Sequence, residues 1–378
     1  MSKSPIIIVG AGFFGLTLAE RMANDLNLPV LVIERRSHIG GNAHSETDKE
    51  TGIEHHLYGS HLFHTSNKKV WEYVNSFDKF SNYQHTVWSL HKGHMYSLPF
   101  NLSTINHFYN LNLSPTEARI FLESKIPSDI NPLNLEQKAI SLVGRDLYEA
   151  FIKGYTLKQW QTDPRNLDPN IISRIPVRFN YSNRYFSDSF EGLPLNGYAH
   201  LFQEMAKNPL IELCLETDYL QIRKELPSNC MTIYTGAIDE YFDYEYGLLN
   251  WRTLDFEYET VNVPDFQGTS VVNYPDLDVP FTRIHEFRHL HPERNYESSK
   301  TLIAKEFSRW ATVDDEPYYP VNTKEDRVKL SSYRELLKNE KNIYFGGRLG
   351  SYQYLDMHMA VASALTLFEN QLKPKLLA

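Results

Sequence analysis

Cysteine is scarce. Cys214 and Cys230 are the only two in 378 residues. They show neither C-x-x-C spacing nor neighbouring ligand residues, so they read as packing residues in a reducing compartment rather than a disulfide framework or metal site. Positive charge is also in deficit. Thirty-eight Lys and Arg against 47 Asp and Glu leave a formal net charge of -9, which works against non-specific binding to nucleic acid or an anionic membrane. No apolar run approaches a membrane span, and no repeat or low-complexity tract interrupts the chain. Only five residues precede the first strand-like run, too few for a secretory leader. A cytoplasmic protein with no nucleic-acid and no membrane partner is expected. The length is too great for one small core and suits two or three domains.

Several catalytic signatures are missing as well. His55, His56, His61, His64, His285, His289 and His291 are suggestive, but none meets a Cys at ligand spacing, so no metal is expected. There is no G-x-S-x-G elbow and no evident cysteine nucleophile. A chain without a nucleophile of its own fits a reaction carried by a cofactor.

What is present is concentrated at the start. Ile6 to Val9 is a short β-branched run, as in a strand buried on both faces. Gly10, Gly12 and Gly15 follow as G-x-G-x-x-G. Gly10 permits the tight turn, Gly12 lets the backbone approach a pyrophosphate, and Gly15 lets the next helix pack on the strand. Leu16, Leu18, Ala19, Met22, Ala23 and Leu26 continue as an amphipathic helix whose N-terminus offers N–H groups to phosphates. A second strand, Val30 to Ile33, ends at Glu34, about 20 residues after the glycines, where a ribose-hydroxyl acceptor belongs. Arg35 and the Gly40-Gly41-Asn42 turn then favour FAD over NAD, as in flavoproteins of the glutathione-reductase and amine-oxidase type.

Further on, Thr65 or Ser66 is placed to cap a helix carrying Val70, Tyr73, Val74 and Phe77. Val87 to Leu98 reads as strand or hairpin. A helical block spans 102–167, with a capping box at Ser114 and Glu117 and a second cap at Asn134. Pro164, Pro169 and Pro176 break the chain into a loop holding Arg174 and Arg178, a candidate lid. Thr232 to Thr235 reads as a strand returning to the first sheet. Trp251 to Val263 alternates Leu254, Phe256 and Tyr258 against Asp255, Glu257 and Glu259, one face buried and one solvated. Strand-like runs near 270–273, 282–287 and 301–307 suggest an antiparallel layer, and a late strand at 343–347 precedes a final helix. The chain is also rich in arginine beside aromatics: Tyr155, Trp160, Arg174, Arg178, Arg184, Tyr185, Phe186, Arg252, Arg283, Arg288, Tyr318, Tyr319, Arg348, Tyr352 and Tyr354. Guanidinium forks bind phosphates and aromatic faces stack on bases or sugars. Beside a flavin unit, this set points to a nucleotide-linked substrate.

Eight stretches, in order, resemble the bacterial UDP-galactopyranose mutase family: VGAGFFGLTLAER, ERRSHIGGNAHSE, YGSHLFHTSN, LYEAFIKGYTLKQWQTDP, NRYFSDSFEGLP, VPFTRIHEFRH, DEPYYPVN and FGGRLGSYQYLDMHMA. The resemblance spans essentially the whole chain. It implies an α/β fold: a Rossmann-like FAD-binding domain (1–80, 190–245, 320–378), an inserted helical bundle (100–185), and a twisted antiparallel β-sheet domain (81–99, 246–319). It implies interconversion of UDP-galactopyranose and UDP-galactofuranose with no net redox change. The family mechanism uses N5 of reduced FAD as nucleophile on the anomeric carbon. By motif position, Gly10, Gly12, Phe13, Phe14, Gly15, Glu34, Arg35, Gly41, Asn42, Arg348, Asp356 and Met357 would hold FAD. Arg174 would be the lid arginine and Arg283 the fixed one on the substrate diphosphate, with Tyr185, Tyr319 and Tyr354. Phe151 and Tyr155 would hold the uracil, Thr156 the ribose, and Trp160, His85 and Asn273 would complete the substrate site. His61 and His64 would lie beside flavin and sugar. A separate reductant such as NADPH and a homodimer are further implications. A related mutase for UDP-N-acetylgalactosamine or a dTDP-sugar, and an amine-oxidase-type oxidoreductase, are the competing readings.

Overall fold

The computed structural model describes residues 6–172, 176–227 and 230–377. Five parallel strands form the first sheet, in the order Ile343–Phe345, Thr232–Tyr234, Ile6–Val9, Val30–Ile33 and Ile211–Cys214. Its central strand is buried on both faces, as its unbroken β-branched run requires. Ile6 and Ile8 face the helices Phe13–Leu26 and Met357–Leu367, whereas Ile7 faces Tyr219, Tyr234 and Tyr241 on the other side.

The second sheet has seven strands: Tyr319–Pro320, Trp251–Val261, Thr301–Trp310, Arg283–Glu286, Val271–Asn273, Val87–His91 and His94–Leu98. It differs from the antiparallel expectation at one pair, because Val272 and Asn273 run parallel to Trp88 and Ser89. The chain leaves the Val87–Leu98 hairpin, passes through the whole helical block, and only then returns to Val271. So long a crossover is what a parallel neighbour needs. The strict alternation expected along Trp251–Val261 also fails at its start. Trp251, Arg252, Thr253 and Leu254 are all buried, and alternation towards solvent begins at Asp255. Tyr258, assigned to the buried face, is 38 % exposed, with its hydroxyl donating to the His56 carbonyl.

The helical unit comprises Leu102–Tyr109, Pro115–Ser124, Leu135–Leu147 and Gly154–Trp160, with a π turn at Tyr148–Lys153. Its own core includes Tyr96, Phe100, Ile105, Leu122, Ile140, Leu147 and Phe151. Ser114 and Glu117 close a reciprocal capping box, and Asn134 accepts from the Gln137 N–H. Gly144, at φ 77°, interrupts the third helix where a Cβ would lie 3.0 Å from Lys125 Cβ. The cap of Lys68–Val74 is Asn67 rather than Thr65 or Ser66. Thr65 is drawn into a strand against Phe190, and the Ser66 hydroxyl donates to Asp188. Among the described residues, no helix is long and apolar enough to cross a membrane.

Candidate active site

The three glycines do different mechanical work. Gly10 has φ 100°, and a Cβ there would fall 2.0 Å from Thr235 Oγ1. A Cβ on Gly15 would fall 2.0 Å from the Gly10 carbonyl oxygen, so the helix can sit this close to the strand only with glycine. Gly12 faces the Gly41 backbone, with its would-be Cβ 4.0 Å from Gly41 Cα. The helix it opens has no side-chain cap, leaving first-turn N–H groups for an anion. These residues line a cleft of about 1810 Å³, its solvent-open part included, between the first sheet and the loop 311–317. Gly10, Gly12, Phe13, Phe14, Gly15, Glu34, Arg35, Gly41, Asn42, Arg348, Met357 and His61 all lie on its wall. Asp356 does not, and stands at the position before the helix that begins at Met357, without a side-chain capping bond.

Glu34 is buried at the edge of the cleft. Its carboxylate accepts from the Ala11 N–H at 2.8 Å and the Arg36 N–H at 2.9 Å. Each oxygen keeps a lone pair for a further hydroxyl. Two wall residues were not singled out from the sequence. Arg36 donates to Asn42 Oδ1 at 2.8 Å and to Glu316 at 2.7 Å, and lies over the Tyr58 ring. Glu316 also takes Arg35 at 2.9 Å, so one carboxylate ties loop 311–317 to the end of the second strand. An acid and its arginines about 280 positions apart leave no local signal.

An arginine–tyrosine cluster adjoins the cleft. Arg283 opens its strand opposite Asn273, whose buried Oδ1 has no partner among the described residues. One edge of the guanidinium faces Glu306, Nε to Oε1 3.2 Å, and Nη2 donates to the Tyr155 hydroxyl. Burial opposes the Arg283 charge, but Glu306 raises its pKa above the ordinary arginine value. Burial would raise the Glu306 carboxyl, yet Arg283, His285 and Thr282 hold it down at about 2. His285 Nε2 lies 3.0 Å from Glu306 and its Nδ1 2.7 Å from Ser60 Oγ. Burial lowers the His285 pKa, so the neutral ring donates to the carboxylate and accepts from the serine. Neither Glu306 nor Ser60 was legible as a support.

Tyr319 and Tyr354 rings lie 5.9 Å apart, and Arg348, on the cleft wall, sits 5.3 Å from the Tyr354 ring. Arg348 thus joins cleft and cluster. Tyr185 and Tyr354 are 45 % and 44 % exposed, so the cluster presents open aromatic faces. His85 is buried 5.5 Å edge-on to Tyr185, and burial, reinforced by Arg283, pushes it down to about 3. Burial lowers His61 to about 4, against the Gly59 carbonyl 2.7 Å from its Nδ1. Both imidazoles are neutral at pH 7.

Other expected residues fall elsewhere. Phe151 is buried among Tyr96, Phe100 and Phe108 in the helical core, whereas Tyr155, one turn on, reaches the cluster. Thr156 is buried on the same helix and Trp160 packs on the helical core. His64 stacks on Phe186 at 3.7 Å, with Nδ1 2.7 Å from Asp188. It is brought near Asp356 and His358, whose ligand atoms lie with its own inside 4.8 Å, a grouping absent from the sequence spacing. Arg252 is not a phosphate arginine. It is fully buried and donates to the Gln159 carbonyl, Gln161 and Ser308. Arg184 pairs with Glu191, Arg178 donates to the Arg184 carbonyl, and Arg288 donates to the Tyr296 carbonyl. Arg174 lies outside the described residues.

Known proteins fit this arrangement. The sequence model of the UDP-galactopyranose mutase family matches residues 150–354, and that of an NAD(P)-binding Rossmann-like domain matches 8–77. A probable UDP-galactopyranose mutase of Klebsiella pneumoniae is 42 % identical over 97 % of this chain and 94 % of its own. A dTDP-fucopyranose mutase of Escherichia coli is 41 % identical over 95 % of this chain and 96 % of its own. The crystal structure of a reduced UDP-galactopyranose mutase shares the fold, with TM-score 0.73 at 15 % identity, over 98 % of this chain and 96 % of its own. The glycine cleft, the arginine–tyrosine cluster and these matches together place the chain in the UDP-galactopyranose mutase family.

Proposed function

We propose that this protein is a flavin-dependent isomerase interconverting UDP-galactopyranose and UDP-galactofuranose. The observation that carries the reading is Arg283: a guanidinium fixed by a buried carboxylate, ringed by tyrosines, beside a dinucleotide cleft. An oxidase acting on a small amine has no use for such a phosphate fork.

The cleft suits FAD. The uncapped helix N-terminus and the bare Gly12–Gly41 backbones would take the pyrophosphate, and the open lone pairs of Glu34 a ribose hydroxyl. Reduced FAD, when bound, supplies a nucleophilic nitrogen for the anomeric carbon without net redox change. The chain's own groups hold the nucleotide-sugar. Arg283 would bind the diphosphate through charge-assisted hydrogen bonds with Tyr155, Tyr185, Tyr319 and Tyr354 around it. By motif position, Arg174 would add a second positive charge on the diphosphate. Tyr155, Thr156 and Trp160 would form the nucleoside end, with Phe151 packed behind them in the helical core, and Asn273 offers an acceptor. His61, His64 and His85 would line the sugar side, with neutral His61 and His85 acting as polar contacts rather than proton donors. NADPH is the proposed reductant and a homodimer the proposed assembly.

The second reading has a specific observation behind it, the near-equal identity to a dTDP-fucopyranose mutase. One experiment separates the two. Purified yellow protein is incubated with UDP-galactofuranose or dTDP-fucofuranose, with and without dithionite, and the sugars are resolved by chromatography. Conversion of the UDP-sugar only when the flavin is reduced, with no flavin oxidised per turnover, is expected. Selective conversion of the dTDP-sugar would move the assignment within the family, and turnover of neither would overturn it.

A further inference from the structure

Lys158 sits one helical turn after Tyr155, on Gly154–Trp160. Its ammonium donates to four main-chain carbonyls of a single loop: Asp276, Val279 and Phe281, each at 2.9 Å, and Tyr274. Three N–H bonds serve four acceptors, so one bond is shared. Carbonyl oxygens converging in this way form the kind of site that otherwise holds a bare cation. Burial pushes the amine down to about 8, against the pull of Asp276 and Asp278, so the charge is held substantially out of water.

The loop it gathers links the strand ending at Asn273 to the strand beginning at Arg283. Its contact with the helix is close: a Cβ on Gly154 would fall 2.2 Å from the Pro275 carbonyl oxygen. Asp276 is fastened from the other side by the Lys92 N–H at 2.9 Å and His91 Nδ1 at 2.5 Å. Two side chains of one helical turn therefore hold one segment twice. Lys158 holds the loop, and the Tyr155 hydroxyl meets Arg283 just beyond it.

We propose that Lys158 is a positioning residue, an internal cation around which residues 274–281 are wound so that Arg283 meets Tyr155 in one fixed arrangement. The role rests on the reading of Arg283 as the diphosphate arginine. A neutral side chain at position 158 leaves four inward carbonyls without a donor, and the loop opens to water.

The test uses the full-length holoprotein with Lys158→Met, which keeps the stem, and Lys158→Ala, which leaves room for a small amine. Amide hydrogen exchange over 274–282 and UDP affinity are both measured. Lys158→Met is expected to exchange faster in that loop and to bind UDP about 10-fold more weakly, since small misplacements of a binding group carry large penalties. In Lys158→Ala, ethylammonium is expected to restore both readouts, whereas tetramethylammonium at equal ionic strength restores neither. Should the Ala variant not fold, the Met variant decides. Unchanged exchange or unchanged UDP affinity in Lys158→Met, or equal rescue by both ammonium ions, would overturn the proposal. Failure of the wild-type protein itself to bind UDP or dTDP would overturn the reading of Arg283 and, with it, the positioning role.

Discussion

At the scale of single residues, the question is what Arg283 contacts. Its guanidinium has a structural edge towards Glu306 and a presented edge among tyrosines, and substitution can separate them. Lys at 283 keeps a positive charge for Glu306 but loses the planar fork. Loss of a charge-assisted hydrogen bond is worth about 2 kcal/mol, or roughly 30-fold. Arg283→Lys is therefore expected to lower kcat/KM by about that factor with flavin absorbance and Tm nearly unchanged. Arg283→Ala also strands the buried Glu306 carboxylate, a destabilisation of about 3–5 kcal/mol, so lower Tm should accompany lost turnover. Flavin loss from the Lys variant would assign the arginine to the cofactor instead. The sequence pointed to Arg283 through its motif, but the same composition also drew attention to Arg252, Arg178 and Arg184. Burial separates them. Arg252 is consumed by the Gln159 carbonyl, Gln161 and Ser308, partners that no local pattern reveals.

At the scale of elements, the strand–glycine–helix start was readable because each part has a local cause: a β-branched run, three positions that exclude side chains, and a helical apolar stripe. Gly15 is the most demanding of the three, and a methyl there meets the Gly10 carbonyl oxygen at 2.0 Å. Gly15→Ala must push the helix off the strand and move Gly12 with it. Overpacking of this kind costs about 1–3 kcal/mol, and here it should appear as weaker flavin retention on gel filtration together with lower Tm. Ser114→Ala is the control, because its capping box lies on the surface of the helical unit. It should lose about 1 kcal/mol of stability and keep its flavin. Less legible features depend on partners distant in sequence. Asn67 caps its helix only because pairing with Phe190 holds Thr65 in a strand. The parallel neighbour of Val272 is set by a crossover through the whole helical block. Glu316 reaches the cleft from the far sheet.

At the scale of the whole molecule, the site is assembled where two sheets and a helical unit meet, and the junction buries neutral imidazoles. Burial lowers His61 to about 4 and His85 to about 3, and lowers His56 and His285 as well. In the unfolded chain each would titrate near 6.5. Between those values the unfolded state binds more protons than the folded state, so stability rises with pH through that window. The stabilisation is complete above about 6.5 and is lost as pH falls towards 4 and then 3. Glu306, held at about 2, adds a loss of the same sign as pH falls from its ordinary carboxylate range towards 2. His289 has the opposite sign: despite burial, Glu286 and Asp265 raise its pKa, so its contribution is present in acid and fades as pH rises. It is one ring against seven, because burial also lowers His38, His55 and His291. Melting temperature should therefore fall on acidification from pH 7 to 4.5, and in a chain of 378 residues each kcal/mol lost should lower it by about 1–2 °C. Replacing His85 with Asn keeps a polar side chain there and removes the titration. The Tm of His85→Asn should then fall less steeply over the same interval, even if its value at pH 7 is lower. Parallel slopes for the two proteins would mean that His85 takes no part in the acid limb.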